Sequence, residues 1–176
     1  MEGEEGAAGT IHIGNNGWVR KTLKRKARGK TRNAKNQFII QKWSHEYLVP
    51  SNGFTILYTP AARHSNNSKF SYSMERIDNK KQIMKLTKED ADLADEIVKY
   101  HRAAIRKGYF MNDIELYRQP DGRVAVLDFD KVGNIDGNTV TYPPSKRSAN
   151  IKDALDQYYL TPDLAKRILQ KNSASR

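Results

Sequence analysis

Asp113 and Asp128 are the two carboxylates whose placement along the chain most directly suggests chemistry. Between them, Gln119-Pro120-Asp121-Gly122 carries turn residues, proline to preset φ and glycine to accept positive φ. Leu116-Tyr117-Arg118 and Val124-Ala125-Val126-Leu127 flank that turn as short β-type runs. Strands paired across a tight turn bring their outer ends together, so the spacing predicts that the two carboxylates lie side by side. Carboxylates held close repel unless a cation or a shared proton compensates them. That arrangement suits Mg²⁺ and a phosphate-bearing substrate. The same pattern also fits an ordinary surface hairpin with solvated acids.

The elements that must position this hairpin follow from the chain in order. Residues 1–9 are acidic and glycine-rich and read as a loose terminus. Residues 10–13 and 18–23 read as strands around Gly14-Asn15-Asn16-Gly17, whose asparagines tolerate the positive φ of a tight hairpin. Residues 33–48 read as a helix with Phe38, Ile39, Trp43, Glu46 and Tyr47 on one face, ended by Val49-Pro50-Ser51-Asn52-Gly53. Residues 54–58 and 70–74 read as strands, with a polar loop over 63–69 between them.

Thr87-Lys88-Glu89-Asp90 is a capping signal for a helix that runs to Lys107 and stops at Gly108. Leu93, Ile97, Val98, His101 and Ala104 lie on its buried stripe, where His101 is expected to be a hydrogen-bonded core residue rather than a catalyst. After Asp130 the sequence reads as irregular through Pro143-Pro144, then as two short amphipathic helices over 150–159 and 162–170 and a frayed tail from 172.

Length and composition bound the function classes. A chain of 176 residues is one domain, or one domain with tails, and 38% hydrophobic residues are enough for a core. The lack of cysteine excludes disulfides, thiolate catalysis and cysteine-ligated zinc. The four histidines show no metal-ligand spacing. No run is long enough to span a bilayer and no signal-peptide pattern occurs, so the expected location is intracellular, cytoplasmic or nuclear. A net charge of +11 draws such a chain to polyanions. The excess concentrates from Arg20 through Lys24, Arg25, Lys26, Arg28, Lys30 and Arg32 to Lys35, with no acid among them. That run reads first as a solvated basic turn or a localisation-like cluster, with Arg25, Lys26 and Arg28 exposed, and only second as a nucleic-acid site.

Set in order, these pieces resemble a protein kinase. Asp113, the turn and Asp128-Phe129-Asp130 resemble the catalytic loop and the Asp-Phe-Gly segment. Gly6 to Ile11 resembles the later part of the glycine-rich loop, Lys21 the strand lysine that holds the phosphates, and Met74-Glu75-Arg76-Ile77 the gatekeeper and hinge. The family's metal-binding asparagine falls at Arg118 by simple counting, or at Glu115 if a deletion follows Ile114. The helix offers Gln41 as the neighbour of Lys21, with Glu46 as runner-up, where the family has a glutamate. The family's histidine-arginine pair is replaced by Met111-Asn112, and no Ala-Pro-Glu ending is present.

The resemblance implies an α+β, two-lobed fold: an amino-terminal lobe over 1–78 with a small antiparallel sheet and one helix, a shortened and mostly helical carboxyl lobe over 79–171, and a tail over 172–176. Such economy is similar to that of compact bacterial effector kinases or kinase-like proteins of large DNA viruses, which would place the chain in a host cell. It implies an ATP/Mg²⁺-dependent transferase acting on a hydroxyl of a protein of unknown identity, an acidic protein being one option that the net charge of +11 leaves open. Gly6, Gly9, Ile11, Lys21, Met74, Glu75 and Ile77 would bind nucleotide, Asp128 and Glu115 would bind metal, and Asp113 would serve as base. The departures keep two alternatives open: a pseudokinase scaffold, and a basic nucleic-acid-binding protein.

Overall fold

The structure, a computed structural model, describes residues 3–5, 9–14, 16–23, 34–64, 71–78, 81–112, 114–129, 131–142, 147–156 and 162–170. The fold is α+β with antiparallel sheets. The first sheet contains β1 (Gly3–Glu5), β2 (Gly9–Ile13), β3 (Trp18–Leu23), β5 (Ala62–His64) and β6 (Ser71–Glu75), in the order β1-β2-β3-β6-β5. All its pairings are antiparallel. Two of its strands depart from expectation. Gly3–Glu5 pairs with β2 where a loose terminus is predicted, and Ala62–His64 pairs with β6 where a polar loop is predicted. Both runs are too short and polar to carry a period-two signal, and the ladder to a neighbour holds them.

Alternation along these strands turns Val19, Leu23, Tyr72 and Met74 to one face, where Ile11, Ile13, Phe38 and Ala62 pack with them. Phe38 comes from α1 (Ala34–Trp43), which covers this face. The helix does not end at Leu48. It widens into a π-helical turn over Ser44–Leu48 and continues as α2 (Val49–Asn52), stopping at Gly53 with φ 59°. Pro50 has no N–H and its ring crowds the carbonyl four residues back, a conflict that the wider turn relieves. Inside this turn the buried Ser44 hydroxyl lies 2.7 Å from that of Thr59 and 2.8 Å from that of Tyr100.

The predicted capping box forms. Thr87 and Asp90 exchange side-chain and backbone hydrogen bonds ahead of α3 (Ala91–Arg106), and Gly108 follows the helix with φ 84°. Leu93, Ile97, Val98, Tyr100, Ala103 and Ala104 of α3 form the centre of the larger core. His101 is buried there with neither ring nitrogen hydrogen-bonded, contrary to expectation. Burial pushes its pKa down to about 4, so the ring is neutral at ordinary pH.

The remainder is not mostly helical. β7 (Tyr109–Asn112), β10 (Lys131–Asp136), β11 (Thr139–Tyr142) and β12 (Arg147–Asn150) form a four-stranded sheet in the order β12-β11-β10-β7. Two of those strands, β10 and β11, occupy the stretch that reads as irregular, and β12 follows it just ahead of the predicted helix. Their turn residues, Gly137 with φ 57° among them, and the interposed glycine Gly133 hide the alternation. The close packing of Gly133 shows why glycine stands there, since a Cβ at that position would lie 2.3 Å from Val140 Cγ1. α4 (Ile151–Asp156) and α5 (Pro162–Leu169) close the fold, α5 packing on α3.

The hairpin itself forms as predicted. β8 (Glu115–Arg118) pairs antiparallel with β9 (Val124–Leu127) around a turn in which Gly122 has φ 86°. The predicted strand over 54–58 shrinks to β4 (Leu57–Tyr58), which leaves the first sheet and pairs parallel with β9. Its entry is held by the Glu96 carboxylate, which accepts the backbone N–H groups of Thr55, Ile56 and Leu57 at 2.7–2.9 Å.

Candidate functional site

Lys21 is a cation on an apolar sheet face. In register it stands between Ile11 on β2 and Tyr72 on β6. Period-two alternation puts it between Val19 and Leu23, both buried. An ammonium group there needs a counter-charge or water.

Asp128 supplies that charge. Lys21 Nζ donates to Asp128 Oδ1 at 2.9 Å, across 107 positions of sequence. The side chains retain 17% and 27% of their exposure, so the pair is partly shielded but open on one side.

Asp128 reaches this position through an unusual backbone. Its φ is 59°, the one positive φ at a non-glycine among the described residues. Aspartate tolerates the left-handed region better than most residues, and such conformations cluster at functional sites. The turn separates two neighbours with opposite needs, since Leu127 packs on the first-sheet cluster while Phe129 is buried in the larger core. The site therefore lies where the end of β9 meets the inward face of the first sheet.

Glu115 and Tyr117 add to it from β8. They are two apart on one strand, so they share a face, and Tyr117 Oη donates to Glu115 Oε2 at 2.6 Å. Burial first, then the Glu115 bond and charge, and then the Asp128 charge push the Tyr117 phenol pKa up. Register sets Glu115 opposite Leu127, the residue before Asp128, so the acid and its phenol partner stand beside the end of β9. Two acids can hold a cation, and a lysine can contact the phosphate to which that cation is bound. Among the described residues no group of three or more acidic, histidine or cysteine side chains is placed to hold a metal ion.

The other expected site residues divide into three groups. Ile11 and Met74 are on the inward face beside Lys21, and Glu75 and Ile77 follow at the end of β6. Glu75 N–H donates to Ala61 O at 2.8 Å, and Arg76 N–H to Gly17 O at 2.8 Å. Asp78 N–H donates to Gln119 Oε1 at 2.9 Å, tying the end of this segment to the hairpin turn. Gly9 begins β2 opposite Leu23. Gly6, Asp113 and Asp130 lie outside the described residues, as does the basic run with Arg25, Lys26 and Arg28.

The two helix candidates lie in different surroundings, Gln41 buried and Glu46 exposed. Gln41 is fully buried, donating from Nε2 to Pro60 O at 2.9 Å and accepting from Tyr72 Oη at 3.1 Å, so it meets the register partner of Lys21. Glu46 pairs with Lys42 at 3.7 Å in a solvent-facing helix pair. Gln37, one turn before Gln41, is also buried, and neither of its amide atoms is hydrogen-bonded. Neither Gln37 nor Tyr117 stands out from sequence. Two glutamines one turn apart on the sheet-facing side, and a tyrosine two positions after Glu115, are the signals that mark them.

No protein-family model matches the chain, and no curated protein matches it in sequence.

Proposed function

We propose that the chain binds ATP with a divalent cation and transfers the terminal phosphoryl group to a protein hydroxyl, on a reduced two-lobed kinase-like scaffold. The observation that carries this reading is the ion pair between Lys21, on the inward face of β3, and Asp128, on the positive-φ turn after β9. The strand order β1-β2-β3-β6-β5, with α1 covering the lysine's face, supports it as well.

The residues present fit the groups implied. Lys21 offers an ammonium to phosphate oxygens, and Asp128 with Glu115 offers carboxylate oxygens of the kind Mg²⁺ prefers. Ile11, Val19 and Met74 offer an apolar wall beside them for a base. Mg²⁺ would supply charge neutralisation on the phosphates. Asp113 is the residue to orient the acceptor hydroxyl and take its proton as the phosphoryl group leaves ADP. Gly6 and Gly9 would approach the phosphates with bare backbone.

Incubation with γ-labelled ATP, Mg²⁺ and a cell lysate tests the reading. Wild type should label protein. Asp128→Ala should lose both Mg²⁺-dependent ATP affinity and transfer, and Asp113→Asn should keep binding while transfer drops about 10²–10⁴-fold. Unchanged transfer in both variants refutes it. A second reading, a nucleotide-binding scaffold without transfer, is favoured by one observation: the buried helix residue nearest the lysine's strand partner is an amide, Gln41, rather than an acid. ATP-dependent thermal stabilisation without any labelled product selects that reading.

A further inference from the structure

The outward face of the first sheet carries two arginines in a row with a histidine and a serine. Register places His12 opposite Arg20, Arg20 opposite Ser73, and Ser73 opposite Arg63, so these four side chains cross β2, β3, β6 and β5 on the face opposite Lys21. Trp18 lies two positions from Arg20 on the same face, and the Arg63 guanidinium carbon sits 3.6 Å from the centre of its ring. No ion pair among the described residues involves His12, Arg20 or Arg63, although the chain pairs other arginines with acids. Glu75, opposite Trp18, borders the row. Thr10 and Thr22 form the neighbouring register pair and add hydroxyls.

We propose that this face binds single-stranded nucleic acid. Unpaired cations on a sheet surface track a phosphate backbone. Stacking on Trp18 holds the Arg63 guanidinium flat, and a flat guanidinium presents a plane on which a base stacks. Serine and threonine hydroxyls supply further phosphate or sugar contacts. An anionic membrane fits less well, because among the described residues the exposed large apolar side chains, Ile39, Tyr47 and Met84, all lie on other elements. The surface is distinct from the proposed nucleotide site, since alternation turns Lys21 to the other side of β3.

The test uses the full chain with labelled oligouridylate and oligothymidylate, and phosphatidylserine vesicles as the competing polyanion. In a Trp43→Phe background the remaining tryptophan emission comes from Trp18 and should change on oligonucleotide addition. Arg20→Glu with Arg63→Glu should weaken binding about tenfold or more. The slope of log affinity against log salt should become shallower by about 0.7 for each phosphate the variant no longer neutralises. Trp18→Ala should weaken binding by roughly tenfold. Arg20→Gln with Arg63→Gln, a milder change at exposed positions, should give a smaller loss with an unaltered melting temperature. Full affinity in both double variants would assign binding to the basic run at 24–35 and overturn the proposal. Absence of oligonucleotide binding at low salt, or tight vesicle binding without it, would overturn it as well.

Discussion

Asp128 is the residue on which two demands meet. Its carboxylate must reach Lys21 while its backbone turns from β9 into the buried Phe129. The sequence makes the first partly legible, because Asp128 and Lys21 stand at positions that resemble one site. It does not announce the backbone, since an Asp-Phe-Asp run is compatible with many φ values. Nor does it identify the contact of Tyr117, whose hydroxyl hydrogen-bonds Glu115 and whose phenol pKa the Asp128 charge also helps to raise. If Glu115 completes a cation site, Tyr117 is a positioning residue, and Tyr117→Phe should leave the fold intact while weakening cation affinity. Losses of outer hydrogen-bond partners typically run to about 10–100-fold in metal affinity. Titration of Mn²⁺ or Mg²⁺ in the presence of a non-hydrolysable ATP analogue measures it. A wild-type cation affinity would make Glu115 a structural strand residue.

At the scale of elements, the sequence signals that match the structure are those with strong local causes. The Thr87–Asp90 capping box and the Gln119–Gly122 turn each close their own hydrogen bonds. β4 is not legible in this way because its placement depends on a distant acid. Glu96 on α3 takes three consecutive backbone N–H groups and the Thr55 hydroxyl, fixing the chain as it enters the parallel pairing with β9. Burial alone would raise the Glu96 pKa, but bonds from Leu57, Thr55 and Ile56 outweigh it and leave the pKa lowered. A carboxylate with a depressed folded pKa stabilises above its unfolded value, and that contribution is lost as pH falls through the folded one. Glu96→Gln should therefore destabilise by about 1–3 kcal/mol near neutral pH. Thermal melts taken from pH 7 down into the carboxylate range should show the gap between variant and wild type closing. A gap that stays constant with pH would mean that the carboxylate charge has no part in holding β4.

For the whole molecule, composition correctly bounds a chain with a core, and no helix among the described residues is long and apolar enough to cross a membrane. The carboxyl half is less helical than expected because the stretch that reads as irregular, with Val132 and Val140, pairs as strands, a matter of the neighbouring strands rather than of local propensity. The same long-range packing crosses the middle of the chain. Leu48 and Leu57 are buried in the core formed by α3, β7, β8 and β9, with Phe54 and Ile56 packed against it. Ser44 and Thr59 share a hydrogen-bonded cluster with Tyr100. A fragment beginning at residue 79 would expose the apolar surface these residues cover and leave Tyr100, a fully buried phenol, without its hydroxyl partner. It would also lose β4, the neighbour that β9 has on the side away from β8. Removing a single large core side chain costs about 2–5 kcal/mol, and whole domains are stable by only about 5–15 kcal/mol. Losing Leu48, Leu57 and their packing neighbours together should therefore exceed what the fragment has to lose. Residues 79–176 made alone are expected to show no cooperative thermal transition by circular dichroism and poorly dispersed amide resonances. Adding residues 34–78 as a separate peptide should restore part of both signals. A fragment that melts cooperatively without them would show that the second half carries a sufficient core of its own.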